Sequence, residues 1–116
     1  MESAYYLTVV QGKNPGRRFL LGKGENLIGR WDPDRGAFPE VDLDEEDEDA
    51  RISRRHAVLV VGESSCSIED LGSLNGTFIN KGSRLETGVS HVLNEGDQLH
   101  CGRVVLRFEG EVLSGE

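Results

Sequence analysis

The sequence has few of the features that mark membrane, secreted or metal-binding proteins. No apolar run is long enough to span a bilayer, and the N-terminal MESAYYL lacks the basic and apolar blocks of a secretion signal. Only two cysteines occur, Cys66 and Cys101, without CxxC spacing and within alternating apolar runs. We expect a cytoplasmic, soluble protein with no membrane contact, no metal and no cofactor. Free thiols are favoured, although the sequence also allows a disulfide between the two cysteines.

Basic residues are scarce relative to acidic ones. Thirteen Lys and Arg stand against 21 Asp and Glu, for a formal net charge of −8, which argues against non-specific nucleic-acid binding. Eight of the acids lie between positions 40 and 49, and without them the acids and bases are equal in number. The chain is therefore interpreted as a nearly neutral domain with one acidic segment.

No segment keeps the 3.6-residue apolar period of a helix over three turns. Apolar residues alternate instead, as Val104, Leu106 and Phe108 do, and fifteen glycines and three prolines separate the runs. Many short strands with close turns indicate an all-β sandwich or barrel. A length of 116 residues suits a single domain over 1–116, with 110–116 expected to be a flexible tail. The predicted strands are 5–11, 17–21, 25–29, 57–61, 66–71, 77–80, 89–93, 98–101 and 104–108.

One connection is far longer than a hairpin loop. Residues 31–50 read WDPDRGAFPEVDLDEEDEDA, and loops of this length in compact domains are usually functional or disordered. Val41 and Leu43 predict a short strand within it. The six consecutive acids that follow are expected to be solvated and mobile.

Four short motifs follow one another along the sequence. They are Gly29-Arg30, then SRRH at 53–56, then LGSLNGT at 71–77, and finally Gly96-Asp97 with Gly102. Each is weak alone, but together they resemble a forkhead-associated (FHA) domain over Tyr5 to Phe108. The resemblance implies an eleven-stranded β-sandwich of the FHA/SMAD-like type, in which 31–50 is an acidic loop insertion. It also implies a non-catalytic module that binds a phosphothreonine-containing partner protein downstream of a Ser/Thr kinase.

The chemistry of the motif residues suits a phosphate. A phosphothreonine carries close to two negative charges and three acceptor oxygens, which an arginine fork and a hydroxyl can bind. The resemblance assigns Arg30 and Ser53 to the phosphate, and Arg54 to the phosphate or the adjoining peptide backbone. The backbone N–H of Ser53 is expected to bind a second phosphate oxygen. Asn75 matches the asparagine that bonds the peptide main chain, although it also suits a type I′ turn with Gly76.

Other motif residues have supporting or open roles. His56 resembles a histidine that buttresses the binding loops from behind, and Gly29 and Gly76 are expected to supply backbone freedom or close approach. Leu74 stands where some members carry a phosphate-binding hydroxyl, so Ser73 is a candidate for that contact. Arg55 is expected to face away from the ligand, because neighbouring residues in a strand point to opposite sides.

The sequence also allows competing interpretations. The acidic segment is a solvated loop, a tethered competitor for Arg30 and Arg54, or a source of preference for basic ligands. A calcium site at Asp32 and Asp34 lacks further ligands, and a hydrolase based on Ser53 lacks a nucleophile elbow. The alternative function is a phosphate-independent scaffold, or a domain that self-associates through a sheet face.

Overall fold

The computed structural model describes residues 2–113, which contain ten strands and a single 3-10 turn at Pro33–Arg35. The prediction of an all-β fold is confirmed, but within the described residues the strand count is ten, not eleven. The strands are β1 Glu2–Gln11, β2 Arg18–Leu20, β3 Gly24–Gly29, β4 Val41–Asp42, β5 Arg55–Val61, β6 Cys66–Asp70, β7 Thr77–Ile79, β8 His91–Leu93, β9 Gln98–Cys101 and β10 Val104–Leu113.

The strands form two five-stranded sheets. The first has the order β2-β1-β10-β9-β7, and the second has the order β4-β3-β5-β6-β8. Every pairing is antiparallel except that of β4 with β3, which is parallel. Since β3, β5 and β6 are neighbours in the second sheet, the loops that follow β3 and β6 and precede β5 emerge at the same end.

The core lies between the sheets and follows the alternation of the strands. Leu7 and Val9 of β1 face inward, as do Leu106 and Phe108 of β10, and all are essentially inaccessible to solvent. Their counterparts in the second sheet come from β3, β5 and β6, namely Ile28, Ala57, Leu59 and Ile68. Cys66 and Cys101 are buried free thiols, and burial raises the pKa of Cys101 to about 12. No helix among the described residues could cross a membrane.

The expectation of a flexible tail is wrong for residues 110–113. They continue β10 and pair with β1, where Gly110 lies opposite Tyr5 and Val112 opposite Ser3. The alternating pattern weakens after Phe108, but backbone hydrogen bonding to a long partner strand does not require a buried side chain at every second position. The rest of that prediction, residues 114–116, lies outside the described residues.

The acidic segment is ordered, which corrects the expectation that its six acids are all solvated and mobile. The short strand at Val41 is present as β4, whereas Leu43 follows it and is buried. Glu46 and Asp47 are also buried. The Glu46 carboxylate accepts hydrogen bonds from the backbone and side-chain nitrogens of Asn14, at 2.7 and 2.8 Å. Burial favours the neutral acid, but these bonds and Arg17 hold the pKa of Glu46 below its ordinary value.

Candidate functional site

The end of β3 and the start of β5 are in very close contact. A Cβ on Gly29 would lie 1.8 Å from the carbonyl oxygen of Arg54, a position that no side chain can occupy. The backbone N–H of Arg30 donates to that same carbonyl at 3.1 Å. Gly29 therefore allows the segment before β5 to pack directly against the strand end from which Arg30 projects.

Arg30 is anchored to the segment that carries Ser53. Its Nε donates to the carbonyl oxygen of Ile52 at 2.6 Å, and its side chain remains 27% exposed. The Nε bond uses one edge of the guanidinium and leaves the terminal nitrogens for a ligand or counter-ion. Ile52 itself is buried, so the anchor is rigid, and Arg30 is brought within one residue of Ser53.

Asp47 holds the same segment from the other side. Its two carboxylate oxygens accept from the backbone N–H groups of Arg51 and Ile52, at 2.9 and 2.8 Å. Sequence reasoning missed this role because Asp47 is one of six adjacent acids with nothing local to distinguish it. Its distance from Arg51, four residues along the chain, is the only available signal, since a short carboxylate commonly caps nearby backbone donors.

The Ser53 hydroxyl oxygen accepts a hydrogen bond from the backbone N–H of Leu74 at 3.1 Å, so its proton is available to an external acceptor. The backbone N–H of Ser53 donates to His56 Nδ1 at 3.1 Å. The expectation that this N–H binds a phosphate oxygen is therefore wrong, because the histidine already uses it.

His56 joins the two motif loops from inside the protein. A bulge in β5 places Ala57 opposite Ile28 and Arg55 opposite Gly29, which leaves His56 without a partner on β3. His56 consequently turns into the core beside Ala57, where it is fully buried. Since Nδ1 accepts from Ser53, Nε2 carries the proton and donates to the carbonyl of Gly76 at 2.9 Å. Burial lowers the pKa of His56 and favours this neutral form.

The loop of LGSLNGT is organised around Asp70, the last residue of β6. Its carboxylate accepts from the backbone N–H groups of Gly72 and Ser73 and from the Ser73 and Thr77 hydroxyls, at 2.5 to 3.1 Å. Burial works against ionisation, but these four donors hold the pKa of Asp70 below its ordinary value. Sequence reasoning missed Asp70, although an aspartate just before a glycine-containing loop is a known Asx-turn signal.

The placement of Ser73 contradicts its suggested phosphate contact. Ser73 is buried, and its hydroxyl donates to Asp70 at 2.5 Å and accepts from the N–H of Gly76 at 3.0 Å. The carbonyl of Ser73 accepts from Arg84 at 2.6 Å. The hydroxyl and the carbonyl oxygen of Ser73 are thus both bonded within the protein, where they stabilise the loop.

Leu74 and Asn75 form the exposed tip of the same loop. Leu74 is 82% exposed, and the side-chain nitrogen of Asn75 donates to the carbonyl of Arg51 at 2.8 Å. The type I′ turn suggested for Asn75 and Gly76 is wrong, because Asn75 is not among the residues with positive φ, whereas Gly76 has φ +86°. Such a turn occurs instead at Asn80 and Lys81, whose φ angles are 51° and 63°.

Arg54 and Arg55 project in different directions. The guanidinium of Arg54 forms a short ion pair with Asp32 in the 31–50 segment. Arg55 instead lines a groove on the outer face of the second sheet. The alternative of a calcium site at Asp32 and Asp34 finds no support within residues 2–113, where no group of three or more potential metal ligands occurs.

The fold and these contacts define a class of protein. It is a two-sheet β-sandwich whose loops at one end present arginines and a serine hydroxyl and are linked to one another by buried hydrogen bonds. Comparison with known families identifies that class. The FHA domain model matches residues 26–102, two thirds of the sequence.

The named relatives are bacterial regulators. The chain is 37% identical over 102 residues to an oxoglutarate dehydrogenase inhibitor of Corynebacterium efficiens, covering 88% of this chain and 63% of the relative. It is 38% identical over 102 residues to the glycogen accumulation regulator GarA of Mycobacterium tuberculosis, covering 88% and 55% respectively. The chain thus spans a little over half the length of these relatives.

Solved structures show the same fold. One, from work on phosphothreonine-dependent FHA domain interactions, superposes with a TM-score of 0.74 at 26% identity, over 95% of this chain and 99% of the other. Mycobacterium tuberculosis EmbR, solved with a low-affinity phosphopeptide, gives a TM-score of 0.74 at 27% identity, over 94% of this chain and 25% of EmbR. This chain belongs to the FHA domain family.

Proposed function

We propose that this domain binds a phosphothreonine of a partner protein through Arg30, Ser53 and Arg54, and the adjoining peptide main chain through Asn75. The observation that carries the proposal is the convergence around Ser53. Arg30 is bonded to the residue before it, and Leu74 donates to its hydroxyl oxygen. Two loops more than twenty residues apart are thereby joined at one possible phosphate position.

The hydrogen-bond directions suit an incoming phosphate. Because Leu74 donates to the Ser53 oxygen, the serine proton is free to point at a phosphate oxygen. The terminal nitrogens of Arg30 supply charge-assisted donors beside it. With Ser73 turned inward, we expect these groups to bind the phosphate without the additional hydroxyl found in some family members.

We further propose that the domain is a non-catalytic regulator located in the cytoplasm. The named relatives are an inhibitor and a regulator, which supports a regulatory role. Charge-assisted binding of a dianion makes the interaction sensitive to salt and fully dependent on the phosphate. A Ser/Thr kinase and a phosphatase then control the interaction, with the domain as the reader of the modification.

Titration with threonine-centred peptide pools tests this proposal. We expect binding of the phosphothreonine pool and none of the unphosphorylated pool, with weaker binding of a phosphoserine pool. Arg30→Ala removes charge-assisted bonds of about 1.5–3 kcal/mol, roughly ten- to a hundredfold in affinity. Arg55→Ala, which makes the same change of charge one residue beyond Arg54, serves as the control. Equal affinity of the Arg30→Ala and Arg55→Ala variants would contradict the proposal.

A second candidate function is phosphate-independent docking on the outer face of the second sheet. A groove of about 430 Å³ lies there. Its apolar lining includes Val58 and Val60 of β5, and its charged lining consists of three glutamates and one arginine: Glu25, Glu40, Glu69 and Arg55. The net negative rim favours a partner segment with apolar and basic side chains over a second copy of the domain.

Mutations can distinguish phosphopeptide binding from docking in the groove. Binding of an unphosphorylated pool of Leu- and Lys-rich peptides that survives Arg30→Ala and is lost on Val60→Glu would establish the groove as an independent docking site. Retention of phosphopeptide binding by Val60→Glu is the control for folding. No binding of this pool to the unmodified domain would exclude the second function for such segments.

A further inference from the structure

Two aspartates of the 31–50 segment contact the two arginines assigned to the phosphate. The Asp32 carboxylate forms its ion pair with Arg54 Nε, and this hydrogen bond is the main reason that the pKa of Asp32 lies below its ordinary value. The Asp44 carboxylate lies 4.0 Å from a terminal nitrogen of Arg30. Both cations of the site therefore have an acidic neighbour from their own chain.

Backbone structure holds each aspartate in place. Asp32 and Ala37 exchange backbone hydrogen bonds of 3.0 and 2.9 Å around the 3-10 turn. The Asp44 N–H donates to the side chain of Asp42 at 3.1 Å, and the preceding residue, Leu43, is fully buried. The two carboxylates are thus presented to the arginines by folded structure and are not drawn from a mobile tail.

Three other acids of the run have different partners. Glu46 and Asp47 are buried and accept backbone hydrogen bonds, and Asp49 pairs with Arg103. The charge of the segment therefore does not act as a diffuse polyanion, and Asp32 and Asp44 are the acids that the structure places at the phosphate-site arginines.

We propose that Asp32 and Asp44 are built-in counter-ions of the phosphate site, which a ligand must displace, and that they lower the affinity of every anionic ligand, so that a phosphate dianion binds measurably whereas a singly charged carboxylate does not. The inference rests on the proposed phosphothreonine function. A tethered carboxylate acts at a high effective concentration, so a ligand carboxylate of equal charge competes poorly. A phosphate, with close to two charges and three acceptor oxygens, replaces both contacts.

The displacement has a measurable consequence in two affinities. Removing either counter-ion raises the affinity for a phosphothreonine peptide by roughly two- to fivefold, the range of exposed ion pairs. The same change raises the affinity for a peptide with glutamate in place of phosphothreonine by a comparable factor, because each ligand displaces the same counter-ion, and this brings its weak binding toward the measurable range. The expected affinity for both peptides is therefore highest in the double variant, D32N/D44N.

The experiment is calorimetric titration of one phosphothreonine peptide from the selected pool, and of its glutamate counterpart, into five variants and the unmodified domain. The test variants are D32N, D44N and D32N/D44N. D34N and E48Q are the controls, because they make the same change of net charge at acids for which the described residues show no ion pair. Melting temperatures of all variants establish that each is folded.

Four outcomes are possible, and each one decides the question. Higher affinity for both peptides in the test variants, with the controls unchanged, supports the proposal. Lower affinity in D32N or D44N overturns it, because the aspartates would then orient the arginines for the ligand. Equal shifts in test and control variants, or no shift in any, also overturn it, since net charge alone or nothing would be involved.

Failure of this inference is distinguishable from failure of the proposed function. If the unmodified domain binds the phosphothreonine peptide and Arg30→Ala lowers that affinity roughly ten- to a hundredfold, the function stands whatever the aspartate variants do. A second readout is the carbon chemical shift of the Asp32 carboxyl during a pH titration. We expect its pKa to rise when the phosphopeptide binds, because Arg54 then pairs with the phosphate, and an unchanged pKa contradicts displacement.

Discussion

The imidazole Nδ1 of His56 lies 3.1 Å from the backbone nitrogen of Ser53 and accepts its hydrogen bond. The other ring nitrogen donates to Gly76 in the neighbouring loop. One neutral, buried ring therefore joins the serine proposed to bind the phosphate to the loop that carries Asn75. Protonation of this ring would place a donor against the Ser53 N–H and break the link, so the site depends on a single tautomer of His56.

We predict that His56 makes folding stability sensitive to mild acid. Its pKa is lowered in the folded protein, so the unfolded chain binds more protons as the pH falls below the ordinary histidine pKa of 6.5. The free energy of unfolding then falls with pH by at most about 1.4 kcal/mol per pH unit for one proton. This decline continues until the pH reaches the lower folded pKa.

Urea unfolding between pH 7.5 and 5.5 measures this dependence. We expect a shallower slope in His56→Gln than in the unmodified domain. His100→Gln is the comparison variant, because burial lowers the pKa of His100 in the same direction. Parallel profiles for the unmodified domain and His56→Gln would rule out the assignment to His56.

We predict that Gly29→Ala disrupts both stability and ligand binding. The added methyl would overlap the Arg54 carbonyl oxygen at 1.8 Å, and backbone atoms cannot move aside as a flexible side chain can. Overpacking of this kind costs about 1–3 kcal/mol or more, which chemical denaturation measures. Gly22→Ala is the matched control, because its Cβ would meet only Asn26, at 3.8 Å. Similar losses in both variants would show that the close approach at Gly29 is not the cause.

We predict that replacing Ser53 by alanine mainly lowers ligand affinity, whereas replacing Ser73 by alanine mainly lowers folding stability. Ser53→Ala removes a hydroxyl proton available to the ligand, so affinity for the phosphothreonine peptide falls roughly tenfold or more. Ser73→Ala removes bonds to Asp70 and Gly76, so the free energy of unfolding falls by about 1–3 kcal/mol. Calorimetric titration and denaturation of both variants test the contrast. A larger loss of affinity in a folded Ser73→Ala would contradict the placement of its hydroxyl.

We predict that Asp47→Asn weakens the site without any contact to the ligand. An asparagine has one acceptor oxygen, so either Arg51 or Ile52 loses its partner and faces an amide donor instead. The expected cost is about 1–3 kcal/mol in stability, with reduced phosphopeptide affinity because the segment before Ser53 loosens. Asp49→Asn, which breaks an exposed pair with Arg103, should cost no more than about 1 kcal/mol. Equal costs would refute the structural role of Asp47.

Much of the fold was predictable because strands show a local alternation of apolar and polar residues. Predicted runs such as 98–101 match β9, and the run at 57–61 lies within β5. The bulge at His56 was not predictable from alternation, since it makes two neighbouring residues, His56 and Ala57, face inward together. Only the register against β3, with Gly29 in contact with Arg54, creates that arrangement.

The acidic run shows that the sequence also could not predict which partner each charged residue meets. Adjacent carboxylates are chemically equivalent in the sequence, so Asp44, Glu46 and Asp47 carried one prediction of solvent exposure. In the structure Asp44 faces Arg30. Glu46 accepts hydrogen bonds from Asn14, and Asp47 accepts hydrogen bonds from the backbone before Ser53. Their partners lie on other strands and loops, and the pattern of charges does not encode which partner each acid meets.

The amino-acid sequence alone determined the β-strand pattern, the glycine-bounded turns and the motif order typical of the family, because each depends on short-range preferences. The tertiary structure decided the orientation of individual polar groups: the inward hydroxyl of Ser73, the occupied N–H of Ser53 and the counter-ions of Arg30 and Arg54. A hydrogen bond requires its donor and acceptor to meet within a few tenths of an ångström. Residues twenty or more positions apart reach that precision only through packing of the two sheets.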